Sequence, residues 1–450
     1  MTNHRRVPID GYINAQEAWL KNRRRPQSHA EKKGAPQPKW DQVFQQNLGN
    51  VPGYAYAVAH HGRLVAEGES GYSRTSLDAP QTPWTTTTRI NLASVSKCVT
   101  TVALLKLLSH RGISIDQPFY PLVQSRCPTA GPGVNTVTIK NLLEMKSGMV
   151  VDGTLWTANI WSFLSTYLTQ GLVGTPGVTE AYSNTDFTIL QAIIALLVDP
   201  VQQGGDGIAP YVSYVTDHVL KPMVIDPGVF NPTPDAASTA TFSYALSDNG
   251  PGVYWNAINC VGCGGWVATA GELIKFLAGV RDHRVIDRHL TQRMFREQLG
   301  CYEYDGIYGK YYDHNGWLHN GGTPDRGLNT GVIHLADGYD ALLLVNAQFV
   351  DTIGLMIEAF EQLCHRWTGG SEATTRGCAS GSACSMPIRT PIRGTRSQLY
   401  TPNETAKLGE GRQLRRPELG CWGAGYGATC SSAYWMSLAL QAASLASWHA

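Results

Sequence analysis

We predict an α+β fold for this chain of 450 residues, in which an antiparallel sheet carries a helical insertion. Two observations support the prediction. Hairpin patterns lie near both ends of the central part of the chain, at residues 54–68 and 331–346, and the sequence between them is mainly helical. Strands contributed from both sides of a helical segment favour one sheet packed against helices.

The first hairpin pattern consists of two strand-like runs, residues 54–59 and 64–68, on either side of the turn His60-His61-Gly62-Arg63. Short runs separated by a tight turn predict two paired strands. Apolar residues at helical spacing then predict helices in the middle of the chain. These helical segments are residues 99–108, 141–145, 187–198, 211–220 and 271–280.

The second hairpin pattern closes the central part of the chain. Residues 331–335 and 340–346 flank an Asp337-Gly338 pair, a combination typical of hairpin turns. After it, Asp351 can cap a helix that we expect to run to about Arg366, because apolar residues form a broad face along this segment.

The composition is that of a folded, nearly neutral protein: 43% of the residues are hydrophobic, 16% are charged, and the formal charge is +1. It excludes disorder of the whole chain and gives no overall bias toward nucleic acids. No run approaches the ~18 consecutive apolar residues of a membrane span. We therefore predict neither a nucleic-acid partner nor a membrane span. No apolar segment follows Arg5 and Arg6, so no secretory signal is visible and we expect a cytoplasmic protein.

Both ends of the chain differ in composition from its centre. Residues 1–40 hold nine Lys or Arg against three Asp or Glu, and residues 371–450 hold eight against four. We interpret residues 1–40 and 368–450 as disordered extensions of a domain at residues 41–367. The oligomeric state does not follow from the sequence.

The ten cysteines are scattered along the chain. Cys260 and Cys263 have the spacing of a zinc ligand pair, but no second Cys or His pair accompanies them at the usual distance. We therefore interpret the cysteines as mostly reduced thiols, and we predict no metal and no cofactor. The chain also lacks the G-x-S-x-G, H-E-x-x-H, G-x-x-x-x-G-K-[ST] and G-x-G-x-x-G motifs. The sequence therefore does not favour an α/β-hydrolase, a zincin, a nucleotide hydrolase or a dinucleotide-binding protein.

Ser94 and Lys97 form the first candidate for chemistry. They stand at the start of a predicted helix, and a spacing of three places both side chains on one helical face. A serine hydroxyl is a weak nucleophile unless a neighbour takes its proton, and the lysine is near enough to do so. The N-terminus of a helix also favours an oxyanion formed beside the serine. The alternative is an ordinary helix cap, since S-x-x-K arises by chance about once in a chain of this composition.

Tyr182 and Asn184 form the second candidate, just before a helix predicted to begin near Phe187. The phenol can share proton transfer with a lysine, and the amide can hold both the lysine and a bound carbonyl. Alone the signal is weak, because Y-x-N also occurs at Tyr12 and Tyr254.

The third candidate is His319 with the glycines that follow it, including Gly322. H-x-G also begins at His60, His110 and His314, which we interpret as turn or helix-end residues, so His319 alone has a strand context. A histidine on an inner strand can face a substrate, and adjacent glycines let backbone N–H groups approach a reacting carbonyl.

Taken in order, these blocks resemble the penicillin-recognising serine hydrolase superfamily, and within it the class C β-lactamase-like branch with D-alanyl-D-alanine carboxypeptidases, carboxylesterases and acyltransferases. The resemblance covers about residues 41–367. It rests on five blocks that occur in the family's order: Arg89 to Lys97, Ile139 to Leu143 with Ser147-Gly148-Met149, Tyr182-Ser183-Asn184, Gly264 to Ala270, and His319-Asn320-Gly321-Gly322.

The resemblance implies a β-lactamase/transpeptidase-like α+β fold, with an antiparallel sheet flanked by helices, an all-helical region, and the active site in the cleft between them. It implies that Ser94 is the acylated nucleophile. It implies that Lys97 is the general base or the group that depresses the pKa of the tyrosine, and that Tyr182 is a second proton shuttle. We leave the choice of base open, because ionising a free phenol or neutralising a free amine at pH 7 costs roughly 4 to 5 kcal/mol for either alone.

The resemblance also implies binding roles. Asn184 would touch both substrate and lysine, His319 would occupy the third motif, and the N–H groups of Ser94 and Gly322 would form the oxyanion hole. β-Lactamases of this branch typically carry Lys-Thr-Gly at the third motif. A histidine there is mostly neutral at pH 7, so we expect small uncharged esters or amides to be preferred over penicillins.

The leading interpretation is therefore a serine hydrolase that acts through an acyl-Ser94 intermediate. Two alternatives stay open. An acyltransferase would pass the same acyl group to an alcohol or amine, and the sequence does not decide how the intermediate partitions. A non-catalytic binding protein could use the same scaffold, because the presence of the residues does not establish their geometry.

Overall fold

The computed structural model describes residues 40–149, 159–201, 205–246, 250–348 and 350–368. The extensions expected at residues 1–40 and 368–450 lie outside the described residues, except for one residue at each boundary. The same holds for the segment in which a secretory signal would stand.

As the hairpin patterns predict, the strands of the large sheet come from both ends of the described domain and most helices lie between them, with one further helix before the first strand and one after the last. The helices are α1 Trp40–Asn47, α2 Ser96–Arg111, α3 Tyr120–Val123, α4 Ile139–Leu143, α5 Ile160–Tyr167, α6 Asn184–Val198, α7 Ile208–Val215, α8 Val261–Gly264, α9 Ala270–Arg281, α10 Arg288–Arg296 and α11 Thr352–Thr368. The strands are β1 Gly53–His60, β2 Arg63–Arg74, β3 Thr82–Pro83, β4 Ile90–Asn91, β5 Val267–Ala268, β6 Tyr302–Gly306, β7 Gly309–His319, β8 Gly327–His334 and β9 Tyr339–Val345.

Seven strands form one antiparallel sheet in the order β3-β2-β1-β9-β8-β7-β6. Strand β1 therefore pairs with β9, the last strand of the described residues, from Tyr54 with Val345 to His60 with Tyr339. This pairing confirms the α+β prediction, since the two hairpins meet at the centre of one sheet. A second, two-stranded sheet pairs β4 with β5.

Each face of the large sheet packs against helices. On one face, Trp40 and Phe44 of α1 and Phe360 of α11 form a cluster with Tyr56 and Leu343 of the sheet. On the other face, the helical region packs against Ala55, Ala57 and Leu342 in a larger cluster that includes most of α2 and α6. Burial of apolar surface on both faces fixes which side of each strand is inside.

Strand β7 differs from the sequence expectation at one residue. We expected His314 in a turn, but it lies in the middle of β7 and pairs with Val332 of β8. The Asp-His-Asn-Gly sequence resembles a turn locally, yet strand pairing with β8 overrides that local preference because it satisfies the backbone groups of the whole segment.

Among the helices that the structure describes, none has the length and apolar character needed to cross a bilayer.

Candidate active site

Ser94 lies in a single 3₁₀ turn, Ala93–Val95, that leads directly into α2. The backbone before it is held from two sides. The Leu92 N–H donates to the Trp266 carbonyl at 2.8 Å, and the Ala93 N–H donates to Asn91 Oδ1 at 2.7 Å. Ala93 has a left-handed φ of 48°, which an alanine rarely adopts without such support. The serine is thus presented on a bend whose shape is set by its neighbours.

Lys97 is fully buried in the first turn of α2, and four oxygen atoms surround its ammonium group. Lys97 Nζ lies 3.1 Å from Ser94 Oγ and 2.8 Å from the Tyr182 hydroxyl. It also lies 2.7 Å from Asn184 Oδ1 and 2.8 Å from the Cys263 carbonyl. An ammonium has three N–H groups, so four oxygen contacts exceed what it can donate to at one time.

The Tyr182 hydroxyl completes a triangle with Ser94 and Lys97. It is within hydrogen-bond distance of both Ser94 Oγ and Lys97 Nζ, and the lysine lies 4.8 Å from the centre of the phenol ring. Of these three groups, Tyr182 faces solvent: its side chain is 45% exposed, whereas Lys97 is fully buried. The three groups therefore extend from a buried lysine to the surface of the protein.

Asn184 reaches the lysine from the start of α6. The Ser183 side chain caps this helix by accepting the Asp186 N–H at 3.1 Å. Asp186 is fully buried, and its Oδ1 accepts the Ser147 hydroxyl at 2.9 Å. Burial raises the pKa of Asp186 to about 7, although the two serine hydrogen bonds and the nearby Lys97 charge oppose the rise. The helix cap and the Ser147 contact together fix the segment that carries Tyr182.

The sequence interpretation missed the role of the Cys260 and Cys263 segment. The two residues lie in the short helical stretch whose Cys263 carbonyl accepts a hydrogen bond from Lys97. Both thiols are free and buried, as are three other cysteines among the residues that the structure describes. A hydrogen bond from the Cys260 thiol and the Lys97 charge lower the pKa of Cys263 to about 7. The i, i+3 spacing was visible in the sequence, but contact of this segment with the lysine was not.

His319 and Gly322 lie together at the end of β7, in a separate group of contacts. His319 Nδ1 is 2.9 Å from Asp325 Oδ2, and its ring stacks on Trp317 at 4.2 Å between centroids. The Gly322 N–H donates to Asn320 Oδ1 at 3.1 Å. In the contacts described for it, His319 does not meet Ser94, Lys97, Tyr182 or Asn184. Its role and that of Gly322 stay predictions.

The pleat of β7 explains this separation. A Cβ atom placed on Gly316 would lie 2.5 Å from the Leu92 carbonyl, so Gly316 faces the turn that carries Ser94. Pairing with β8 is regular from Tyr312 to His319, and alternate residues of a strand point to opposite faces. Trp317 and His319 therefore start from the opposite face of the strand.

His314 is on the same face of β7 as Gly316, and it was also missed as a neighbour of the site. Its ring is fully buried, its Nδ1–H donates to the Gly300 carbonyl at 3.0 Å, and it stacks on Tyr302. Burial and then the Lys97 charge lower the pKa of His314 to about 3. The imidazole is thus neutral at physiological pH and adds no positive charge near the lysine.

Comparison with known proteins shows which chains this sequence resembles. The chain is 26% identical over 224 residues to Protein flp of Staphylococcus aureus strain MW2, covering 48% of this chain and 42% of that protein. It is 23% identical over 201 residues to the D-alanyl-D-alanine-carboxypeptidase/endopeptidase AmpH of Escherichia coli K12, covering 42% of this chain and 48% of AmpH. The chain thus spans about half the length of the curated relatives it matches.

A solved structure shows the same fold. The D-amino acid amidase of Ochrobactrum anthropi SV3, crystallised with L-phenylalanine, superposes with a TM-score of 0.56 at 16% identity, covering 73% of this chain and 98% of the amidase. The family model described as Beta-lactamase matches residues 40–348, which include all six candidate site residues. The sheet topology, the Ser94, Lys97 and Tyr182 cluster and this match lead to one conclusion: the chain belongs to the beta-lactamase family.

Proposed function

We propose that this protein is a serine hydrolase that cleaves small carboxylic esters or amides through an acyl-Ser94 intermediate. One observation carries the proposal. Lys97 Nζ lies within 3.1 Å of Ser94 Oγ and 2.8 Å of the Tyr182 hydroxyl, so a nucleophile and two proton acceptors are in mutual contact. Contact between nucleophile and base is the geometric requirement for activating a serine.

Activation begins with the proton on Ser94 Oγ. Neutral Lys97 has one nitrogen lone pair, which can accept a hydrogen bond from the Ser94 or the Tyr182 hydroxyl. As Oγ bonds to the substrate carbonyl carbon, its proton moves to the Tyr182 oxygen or to Lys97. We assign this proton to the pair rather than to one member, since groups in direct contact titrate together.

Breakdown of the tetrahedral intermediate needs the same proton. The bond from the carbonyl carbon to the leaving oxygen or nitrogen breaks, and the pair delivers the proton to that atom. Tyr182 is the member closer to solvent, so it is the one placed to reach a departing group. Water then attacks the acyl carbon, gives its proton to the pair, and the proton returns to Ser94 Oγ as the acid leaves.

The developing oxyanion needs N–H donors. The first donor is the Ser94 N–H, which lies in the turn that leads into α2. We propose that the Gly322 N–H is the second donor. It would exchange the Asn320 side chain, which it now contacts at 3.1 Å, for the substrate oxygen.

We propose a small, uncharged acyl donor. Two relatives support hydrolysis of an amide or peptide bond, since one is named as a carboxypeptidase and the other as an amidase. Position 319 is a histidine that already contacts Asp325, so it offers a substrate carboxylate less attraction than a free cation would.

The test is acylation at Ser94. The protein is incubated with a short-chain p-nitrophenyl ester or a fluorophosphonate, and the site is located by intact mass and peptide mapping. We expect one adduct on Ser94 that Ser94→Ala loses. Ser109→Ala is the matched control, because Ser109 is an exposed serine at the other end of α2.

An unmodified Ser94 in folded protein contradicts the proposal and favours a binding protein on the same scaffold. Product analysis with and without added alcohols then separates hydrolysis from acyl transfer. A hydrolase releases the free acid in both cases, whereas an acyltransferase forms a new ester when alcohol is present.

A further inference from the structure

A second group of side chains, two histidines and one aspartate, lies at one end of the large sheet. Two hairpin turns meet at this end. His60 is the last residue of β1 and His61 is the first residue of the turn that leads to β2, while Asp337 lies in the turn between β8 and β9. One ligand atom from each of the three side chains lies within 4.8 Å of the others. Among the residues that the structure describes, no other three His, Cys, Asp or Glu side chains approach so closely.

The pairing of β1 with β9 brings these turns together. His60 is the register partner of Tyr339, and the two rings stack at 4.0 Å between centroids with an angle of 14°. His60 Nε2 lies 3.0 Å from the Asp337 carbonyl and 3.9 Å from its carboxylate. The two histidine rings are 4.2 Å apart. The stacking on Tyr339 limits how far the His60 ring can turn away.

The backbone holds the other two ligands in unusual conformations. His61 has φ 47° and Asp337 has φ 51°, both in the left-handed region that residues with side chains seldom adopt. The His61 N–H donates to the Gly338 carbonyl at 2.9 Å. Gly338 also makes room for the His61 ring, since a Cβ there would lie 2.4 Å from His61 Nδ1. Both turns are shaped so that the side chains converge.

Two imidazoles and one carboxylate are the ligand set that borderline divalent metals such as zinc prefer. Donors on one zinc ion, each bound at about 2.1 Å, lie roughly 3.4 Å apart, so small side-chain rotations bring these three into range. Asp337 is 76% exposed and His60 is 28% exposed, so water can fill the remaining positions. We propose that His60, His61 and Asp337 bind one zinc-type divalent cation on the surface of the sheet.

The proposed site lies apart from the candidate active site. Thr330 of β8, which contacts Leu92 beside Ser94, pairs with Leu344, five residues along β9 from Tyr339. At about 3.3 Å per residue this separates the two regions by roughly 16 Å. A cation there joins the β1–β2 turn to the β8–β9 turn and stabilises the centre of the sheet. It takes no part in acyl transfer.

The experiment is a titration of tag-free, chelator-treated protein with zinc chloride, followed by calorimetry and by thermal unfolding. We expect a saturable binding event and a rise in Tm with zinc, because binding to the folded state alone stabilises it. His61→Ala and Asp337→Asn should each weaken that event by at least about tenfold, since even loss of an outer partner weakens metal binding by 10 to 100-fold.

His289→Ala is the control, because His289 is an exposed histidine on α10 and is not one of the three proposed ligands. It should bind zinc as the natural protein does. Zinc titrations that are identical in the natural protein, His61→Ala and Asp337→Asn overturn the proposal, as does the absence of any binding. The variants should keep the natural rate of Ser94 acylation, so this result is independent of the proposed hydrolase activity.

Discussion

The Thr330 hydroxyl donates a hydrogen bond to the Leu92 carbonyl at 2.7 Å, and both residues are fully buried. This contact joins the central sheet to the turn that carries Ser94, although the two residues are 238 positions apart. The position of Ser94 therefore depends on strand β8 as well as on its own helix.

Gly316→Ala tests this support from the sheet. A Cβ at Gly316 would lie 2.3 Å from Thr330 Oγ1 and 2.5 Å from the Leu92 carbonyl, so the Ser94 turn must move. We expect a loss of about 1 to 3 kcal/mol in the free energy of unfolding, together with slower acylation of Ser94. Urea unfolding and fluorophosphonate labelling measure the two effects. Gly49→Ala is the control, because its new Cβ meets nothing closer than 3.4 Å. A variant as stable and reactive as the natural protein would show that the turn does not depend on this packing.

Lys97→Met should remove most of the activity without unfolding the protein. The methionine keeps the unbranched shape at a fully buried position but cannot accept or donate the Ser94 proton. General acid–base groups typically contribute 10²- to 10⁴-fold, so we expect acylation to slow by about that factor. Single-turnover rates with a p-nitrophenyl ester measure the loss, and circular dichroism checks the fold. Near-natural rates in the folded variant would rule out Lys97 as part of the proton path.

Tyr182→Phe tests whether the tyrosine and lysine act as one unit. Tyr182 is 45% exposed but its hydroxyl contacts the buried Lys97, so removing the hydroxyl should lower the free energy of unfolding by about 0.5 to 1.5 kcal/mol. Acylation should slow strongly, and the double variant with Lys97→Met should be little slower than the slower single variant. Multiplicative losses in the double variant would mean that the two groups act in separate steps.

Asp186 should make folding stability depend on pH. Burial raises its pKa to about 7 from the ordinary 3.8, so between these values the folded chain holds a proton that the unfolded chain has lost. Stability from this group is fully present below about pH 4 and is lost as the pH rises through 7. Relative to Asp186→Asn, the natural protein should therefore become less stable from pH 4 to pH 7.5, by about 1 kcal/mol for each pH unit in that interval. Urea unfolding at several pH values measures the difference, and a constant difference would contradict the expected protonation.

Substrate preference tests the interpretation of the third motif. We expect neutral short-chain esters to acylate Ser94 much faster than a chromogenic cephalosporin, because the proposed third motif would present the cephalosporin carboxylate with His319, which contacts Asp325, instead of a free lysine. Steady-state kcat/KM for both substrates measures the preference. Efficient cephalosporin turnover would refute it. His319→Ala should change KM for esters more than kcat, since His319 makes none of the described contacts to the proton-transfer groups.

Local sequence patterns predicted much of the fold and part of the site. The hairpin at residues 54–68 and the cap of the last helix by Asp351 are determined by neighbours in the chain, and both appear as expected. The proximity of Ser94 to Lys97 likewise follows from helical spacing. His314 was misassigned because its immediate neighbours resemble a turn, whereas its strand conformation depends on pairing with a distant segment.

The order of the motifs and the contacts that span a few positions can be read from the amino-acid sequence. Only the folded chain shows that Tyr182, Asn184 and the Cys263 carbonyl surround one buried lysine. Only the folded chain shows that His319 lies on the face of β7 opposite to the one that meets the Ser94 turn. The physical reason is the range of the interactions. Helix spacing and capping act over three or four residues, whereas burial of Lys97 and the approach of four oxygen atoms to it require segments that are distant in the chain to pack together.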